Sequence, residues 1–133
     1  MTNPSLALLV EDSPTQIIEI TAALKKCGFD VISAIDGLAG LDMVYEHHPA
    51  LVVLDVQLPT MNGYQVCRRL KRDPQTASIP VIMMTVADSS DATLAGLEAG
   101  ADDYIAKDVF AAENLIATLN SIKTRMDGRH GEE

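Results

Sequence analysis

Asp55 closes a short apolar run, Ala50-Leu51-Val52-Val53-Leu54, and a second such run, Leu6-Ala7-Leu8-Leu9-Val10, gives way to Glu11-Asp12. A third run, Val81-Ile82-Met83-Met84, ends at Thr85, and a fourth, around Tyr104-Ile105, ends near Lys107. If each run is a buried parallel strand, three carboxylates, a hydroxyl and an ammonium arrive at one sheet edge, where ligands collect in open α/β folds. Carboxylates gathered in a partly desolvated cleft repel one another, and one takes up a proton unless a cation joins them. With no Cys or His among them, the set suits a hard divalent ion. Mg²⁺ fits best, with Mn²⁺ as a substitute, because it accepts few protein oxygens and keeps its other positions for water or phosphate. A divalent ion, a carboxylate, a hydroxyl and a lysine together are the equipment of phosphoryl transfer, where positioning and charge neutralisation do most of the work. Asp55 then serves as a nucleophile that forms an aspartyl phosphate. Lys107 pairs with a phosphoryl oxygen as a point charge, and Thr85 donates its hydroxyl to another. Taken singly, Lys107 would be a surface lysine and Thr85 a common strand-end residue; the constellation is what separates them from that background.

Apolar runs of strand length alternate with segments of helical period along the chain. After the strand at about 6–10, Ser13-Pro14 opens a helix whose inward stripe is Ile17, Ile20, Leu24 and Cys27, and Gly28 stops it. A strand at 30–35 precedes a helix at 37–47 with Gly37, Gly40, Leu41 and Val44 inward, the glycines letting it lie close to the sheet. The strand ending at Asp55 is followed by a loop, 56–62, and a helix over 63–72 that buries Val66, Cys67 and Leu70. Then come a strand at 81–85, a helix near 91–99, a strand at 102–105 and a helix over 112–126 with Leu115, Leu119 and Ile122 inward. The strands are near-continuous apolar runs, as expected when helices cover both sheet faces. This is (βα)₅, an α/β fold with one doubly wound parallel sheet. Right-handed crossovers and the flavodoxin-like strand order 2-1-3-4-5 place Glu11-Asp12 beside Asp55. The chain reads as one domain over residues 1–126 and a flexible tail over 127–133.

Composition narrows the function classes. The 133 residues carry 19 acidic against 10 basic side chains, a net charge of −9, which argues against direct nucleic-acid binding. The basic run Arg68-Arg69-Leu70-Lys71-Arg72 reads as a solvated helix face. Trp is absent and aromatics are scarce, which disfavours sugar-stacking or base-stacking surfaces. Cys27 and Cys67 have no metal-ligand spacing and fall on apolar helix sides, as buried free thiols do. No apolar run approaches the roughly 18 residues of a membrane span, and no signal-peptide pattern opens the chain. The expectation is a cytoplasmic protein with no membrane partner.

The stretches Leu9-Val10-Glu11-Asp12-Ser13, Val53-Leu54-Asp55 through Leu58-Pro59 to Met61-Asn62-Gly63-Tyr64, Pro80-Val81-Ile82-Met83-Met84-Thr85 and Ala99-Gly100-Ala101-Asp102-Asp103-Tyr104-Ile105-Ala106-Lys107 resemble the receiver domain of response regulators, from about residue 5 to 125. The resemblance implies a signalling switch of two-component and phosphorelay systems, which turns over only its own phosphoryl group. Asp55 is then the phosphoacceptor. Asp12 and Asp55 ligate Mg²⁺ through carboxylates, Glu11 acts mainly through a metal-bound water, and Gln57 contributes its backbone carbonyl. Thr85 and Lys107 hold the phosphoryl group. Tyr104 is the aromatic that couples phosphorylation to the surface made by the fourth helix, the fifth strand and the fifth helix. That surface meets a downstream protein, an attached output domain or a second copy. The phosphoryl donor is a histidine kinase or histidine phosphotransfer domain, met by an apolar patch of Pro14, Ile17, Ile18 and Val109-Phe110, although Ile17 also reads as core.

Two positions depart from the family pattern. Asp108 stands where proline follows the lysine, in a cis peptide. Because a cis bond before a non-proline costs about 2.5–4 kcal/mol, the Lys107–Asp108 bond is expected to be trans with a shifted loop, or cis under strain. Val86 stands where a small residue is common, and its β-branch is expected to narrow access to Asp55 and slow exchange with small donors or a phosphatase. Other readings fit less well. A haloacid-dehalogenase-type phosphatase wants a second Asp two residues after the nucleophile, where this chain has Gln57. A flavin-binding flavodoxin relative needs a phosphate-cradling first loop, where this chain has Glu11-Asp12-Ser13-Pro14. A purely structural pseudo-receiver is disfavoured because every signature position is filled.

Overall fold

A computed structural model describes residues 3–85 and 98–131. The elements are β1 (Asn3–Val10), α1 (Pro14–Lys26), β2 (Asp30–Ala34), α2 (Gly37–His47), β3 (Pro49–Asp55), α3 (Gly63–Arg72), β4 (Val81–Thr85), β5 (Asp103–Ala106) and α4 (Ala111–Gly131). All strand pairs are parallel, in the order β2-β1-β3-β4-β5. The expected order and fold class therefore hold. The helix expected near 91–99 and Val86 lie outside the described residues, apart from Glu98 and Ala99, which are helical.

Alternation along the strands explains their unbroken apolar runs. Ala7, Leu9, Leu51, Val53, Ile82 and Met84 join Ile20 and Leu24 of α1 and Leu115 and Leu119 of α4 in one core. The intervening residues, Leu8, Val10, Val52, Leu54, Val81 and Met83, pack with Leu41 and Val44 of α2 and Val66 and Leu70 of α3 in the other. Successive side chains point to opposite faces, so a sheet covered on both sides needs an apolar residue at every step. Gly40 lets α2 approach β1: a Cβ there would lie 2.7 Å from Val10 Cγ2.

Several boundaries differ from the periodicity, among them β2, which ends at Ala34 rather than 35. β1 begins at Asn3 because Asn3 pairs with Pro49 across a register irregularity before Ala7, a backbone pairing that needs no apolar side chain. β5 is shifted one residue, to Asp103–Ala106. The last helix continues to Gly131, through the segment from Asp127 that composition reads as a tail. No proline interrupts it, and a glycine such as Gly128 costs only about 1 kcal/mol in a helix interior. Among the described residues no helix is long and apolar enough to cross a membrane.

Candidate functional site

The sheet register assembles the site. Val10 lies beside Leu54, so the next residues, Glu11 and Asp55, are neighbours. Thr85 lies beside Ala106, and the Lys107 amide continues the ladder by donating to the Thr85 carbonyl at 2.7 Å. Glu11, Asp55 and Thr85 are buried, while Asp12 is exposed and opens the cluster to solvent.

Lys107 is the electrostatic centre. Its Nζ donates to Glu11 Oε1 at 2.8 Å and Oε2 at 3.1 Å, and to Asp55 Oδ2 at 2.9 Å. Burial works against the ammonium charge, yet the hydrogen bonds to both carboxylates outweigh it and raise its pKa. Glu11 is raised above the usual carboxylate range, first by burial and further by the charge of Asp55, against the opposing bond from Lys107. A buried anion beside a second anion is thus only partly compensated. Oxygens of Glu11, Asp12 and Asp55 all lie within 4.8 Å of one another. Three carboxylates facing one ammonium leave excess negative charge at a set of oxygen donors, which fits a hard divalent cation.

Two backbone donors trim the acids. The Ser13 amide donates to Glu11 Oε1 at 3.2 Å, and the Gln57 amide donates to Asp55 Oδ1 at 3.3 Å. Ser13 is the N-cap of α1 by position, but its side chain makes no capping bond. The β3–α3 loop carrying Gln57 is pinned at several points. The Gly63 amide donates to the Val56 carbonyl at 2.9 Å, and a Cβ on Gly63 would run into the Asp55 carbonyl. The Gly37 amide donates to the Pro59 carbonyl at 3.1 Å. Thr60 sits at φ 67°, a costly conformation for a β-branched residue. Its hydroxyl accepts from the Leu38 amide and donates to Asp36 Oδ1, both at 3.1 Å. Asp36 in turn caps α2 by accepting from the Ala39 amide at 2.8 Å.

Against this geometry, residues 7–120 match the family described as the response regulator receiver domain. The chain belongs to that family. The chain is 37% identical over 115 residues to protein PilH of Pseudomonas aeruginosa, covering 86% of this chain and 94% of PilH. It spans about half the length of other curated relatives. A putative response regulator from Chloroflexus aurantiacus superposes with a TM-score of 0.83 at 33% identity, covering 90% of this chain and 98% of that one. The receiver domain of sensor histidine kinase PA1611 from Pseudomonas aeruginosa, solved with a magnesium ion in its active-site cleft, has a TM-score of 0.79 at 27% identity, covering 90% of this chain and 97% of its own. Receiver domains act as phosphorylation-activated signalling switches.

Within this receiver domain the remaining residues singled out in the sequence fall as follows. Tyr104 is half-buried on β5, its hydroxyl 3.4 Å from that of Tyr64 on α3. Burial, reinforced by Tyr64, pushes its phenol up to about 12, and a hydrogen bond with Thr85 opposes the rise. The Lys107–Asp108 bond is trans, and the lysine reaches both acids. Ile18, Val109 and Phe110 are 71%, 88% and 57% exposed and Pro14 is exposed, whereas Ile17 packs on the core. Cys27 and Cys67 are buried, and neither is in a disulfide.

Three features escaped the sequence. The bond between Lys107 and Glu11 joins residues 96 positions apart, and the Tyr64–Tyr104 contact joins residues 40 apart. Only the assembled sheet brings either pair together. The Thr60 clamp left no pattern, because threonine is not a residue that announces a positive φ.

Proposed function

We propose that this receiver domain accepts a phosphoryl group on Asp55 from a phosphohistidine on a histidine kinase or phosphotransfer domain, in a Mg²⁺-dependent reaction. The observation that carries the reading is the convergence of Glu11, Asp12, Asp55 and Lys107 in one pocket. A carboxylate oxygen of Asp55 attacks phosphorus. The O–P bond forms as the P–N bond breaks, and the imidazole nitrogen leaves with the electron pair. The Asp12 and Asp55 carboxylates would hold the ion, with Glu11 acting through water and the Gln57 carbonyl completing the protein ligands. When bound, the ion neutralises charge on the phosphoryl oxygens. The magnesium ion in the PA1611 receiver domain supports this assignment.

Lys107 and Thr85 do the protein's own share. The ammonium, already on Asp55 Oδ2, is in place to pair with an incoming phosphoryl oxygen, and Thr85, buried at the end of the neighbouring strand, to donate to another. Drawing Thr85 toward the phosphoryl group alters its bond with Tyr104. The surface made by the helix ending at Ala99, β5 and α4 then shifts its population of two states toward a downstream partner or a second copy. The donor docks on the exposed Pro14, Ile18, Val109 and Phe110 beside the pocket. The partners are proteins rather than nucleic acid or membrane, and the setting is cytoplasmic.

The test is incubation with Mg²⁺ and a small acyl-phosphate donor, followed by intact mass measurement. The mass should rise by one phosphoryl group in the native protein and stay unchanged in Asp55→Asn. Modification that survives Asp55→Asn, or that proceeds undiminished with all divalent ions chelated, would refute the assignment.

A further inference from the structure

We propose that Thr60 is a positioning residue for the divalent-ion site, its hydroxyl bracing the loop that carries Gln57 against the start of α2. The inference rests on the reading above, in which the Gln57 carbonyl is one of the metal ligands.

Residues 56–62 join β3 to α3. Both ends of this loop are fixed. The Val56 amide donates to the Met84 carbonyl at 3.0 Å, prolonging the β3–β4 ladder, and the Gly63 amide returns to the Val56 carbonyl at 2.9 Å. Gln57 follows Val56 directly, and its amide reaches Asp55 Oδ1 at 3.3 Å. Soon after, the loop meets α2. The Gly37 amide donates to the Pro59 carbonyl at 3.1 Å, and a Cβ on Gly37 would overlap the Met61 carbonyl. The Thr60 hydroxyl adds a bond on each side of Gly37: it accepts from the Leu38 amide and donates to Asp36 Oδ1, both at 3.1 Å. Asp36 cannot simply follow the loop, because the same oxygen caps α2 by accepting from the Ala39 amide at 2.8 Å. Gln57 thus lies on a short span with one end on the sheet and the other on a helix.

The same junction steadies the opposite ligands. The Glu11 amide donates to the Ala34 carbonyl at 3.0 Å, at the end of β2 and just before Asp36. Glu11-Asp12 and Gln57 are therefore fixed relative to one another through residues 34–38, which lie outside the acidic cluster. Thr60 holds φ 67°, a conformation that glycine adopts without strain. Strain of this kind persists where the surroundings demand the residue. What threonine supplies there, and glycine cannot, is the hydroxyl.

Titration of the full ¹⁵N-labelled chain with Mg²⁺, followed through the amide signals of Asp12 and Gln57, gives the dissociation constant with no phosphoryl donor present. Thr60→Val keeps the shape and removes the hydroxyl, Thr60→Gly removes hydroxyl and strain together, and Thr60→Ser keeps the hydroxyl. Thr60→Val and Thr60→Gly should each bind Mg²⁺ about two- to tenfold more weakly, the scale of one net hydrogen bond, while Thr60→Ser stays within about twofold of the wild type. Lower stability alone does not produce this pattern, because the affinity measured is that of the folded protein. If Thr60→Val and Thr60→Gly bind as the wild type does while Asp12→Asn weakens binding, the metal reading stands and the role of Thr60 falls. Wild-type affinity in Thr60→Gly alone would assign the effect to strain and overturn the proposal, as would a Thr60→Ser variant as weak as Thr60→Val. A wild type with no saturable response to Mg²⁺ would be a failure of the underlying reading, seen before any variant is compared.

Discussion

Replacing Lys107 by Met removes the ammonium shared by two buried acids and keeps most of the side-chain volume. The magnitude follows from the pocket. Glu11 and Asp55 are 2% and 4% exposed, with oxygens no more than 4.8 Å apart. At an effective dielectric constant of about 20, their repulsion at that separation is about 3.5 kcal/mol. The wild type sets this against two short ion pairs, which the variant lacks. A loss of about 3 kcal/mol is expected, the scale for leaving a buried charge without its partner. Urea unfolding followed by far-UV circular dichroism, with divalent ions chelated, measures it. Saturating Mg²⁺ should then stabilise Lys107→Met by about 1–2 kcal/mol more than it stabilises the wild type, because the cation would replace the missing positive charge. Adding Glu11→Gln to Lys107→Met should recover most of the loss without metal. The pH dependence has a definite sign. Glu11 is already raised in the native protein by burial, so the native state holds its proton more tightly than the unfolded chain does. Stability of the variant should therefore increase as pH falls below neutral. A loss below about 1 kcal/mol, or a Mg²⁺ effect no larger than in the wild type, would refute this account of the pocket.

Three further outcomes are expected. Burial raises the Cys67 thiol to about 11 from an ordinary 9.0, and its Sγ donates to the Ala99 carbonyl at 3.4 Å. Its contribution to stability is complete below about 9 and lost as pH rises through about 11, and alkylation of native protein at neutral pH should proceed only through opening; reaction at the rate of a free thiol would contradict this. Gly40→Ala should destabilise by about 1–3 kcal/mol in urea, because the new methyl overlaps Val10 and this outweighs the better helix propensity; a gain in stability would show that α2 can move off the sheet freely. Thr60→Val, which keeps the β-branch at φ 67° but loses both hydroxyl bonds, should be less stable than Thr60→Gly by about 1–2 kcal/mol in thermal or urea unfolding, and the reverse order would remove the strain argument.

The placement of the strand-end residues was legible because a buried strand ends where its apolar run ends. Asp55, Glu11, Thr85 and Lys107 could be placed on one rim from that fact and the strand order. Helix α3 was equally plain, since Asn62-Gly63 opens it and Asp73-Pro74 follows it, and the bounds Gly63–Arg72 agree. The basic run on that helix was only partly legible. Arg68, Arg69 and Arg72 are exposed, as a solvated face requires. Lys71 is not part of that face: its Nζ donates to the carbonyls of Ala77 at 3.1 Å and Ile79 at 2.7 Å and pairs with Asp102 at 2.7 Å. It ties the end of α3 to the segments that enter β4 and β5. Composition assigns a lysine to solvent by default, and its true partners depend on which chain ends the fold brings near. The same limit hid the second acid on Lys107. A sequence shows which charges share an edge, but how one ammonium is divided among them depends on distances of a few tenths of an ångström.

That division links stability to signalling. Lys107 Nζ has three hydrogens and donates to two oxygens of Glu11 and one of Asp55. A phosphoryl group on Asp55, as proposed, would bring further anionic oxygens to the same ammonium, and the lysine would have to weaken its hold on Glu11 to meet them. Glu11 is buried and cannot turn to bulk water for compensation. Its released charge would have to be met by the divalent ion or by a proton. The proposed phosphorylated state and an occupied metal site would therefore support one another through a residue that need not touch the phosphoryl group. On this argument Glu11→Gln, which has no charge to release, should lessen the dependence of phosphoryl lifetime on Mg²⁺ concentration relative to the wild type. A dependence as steep as in the native protein, measured by intact mass after rapid removal of the donor, would show that Lys107 keeps Glu11 throughout.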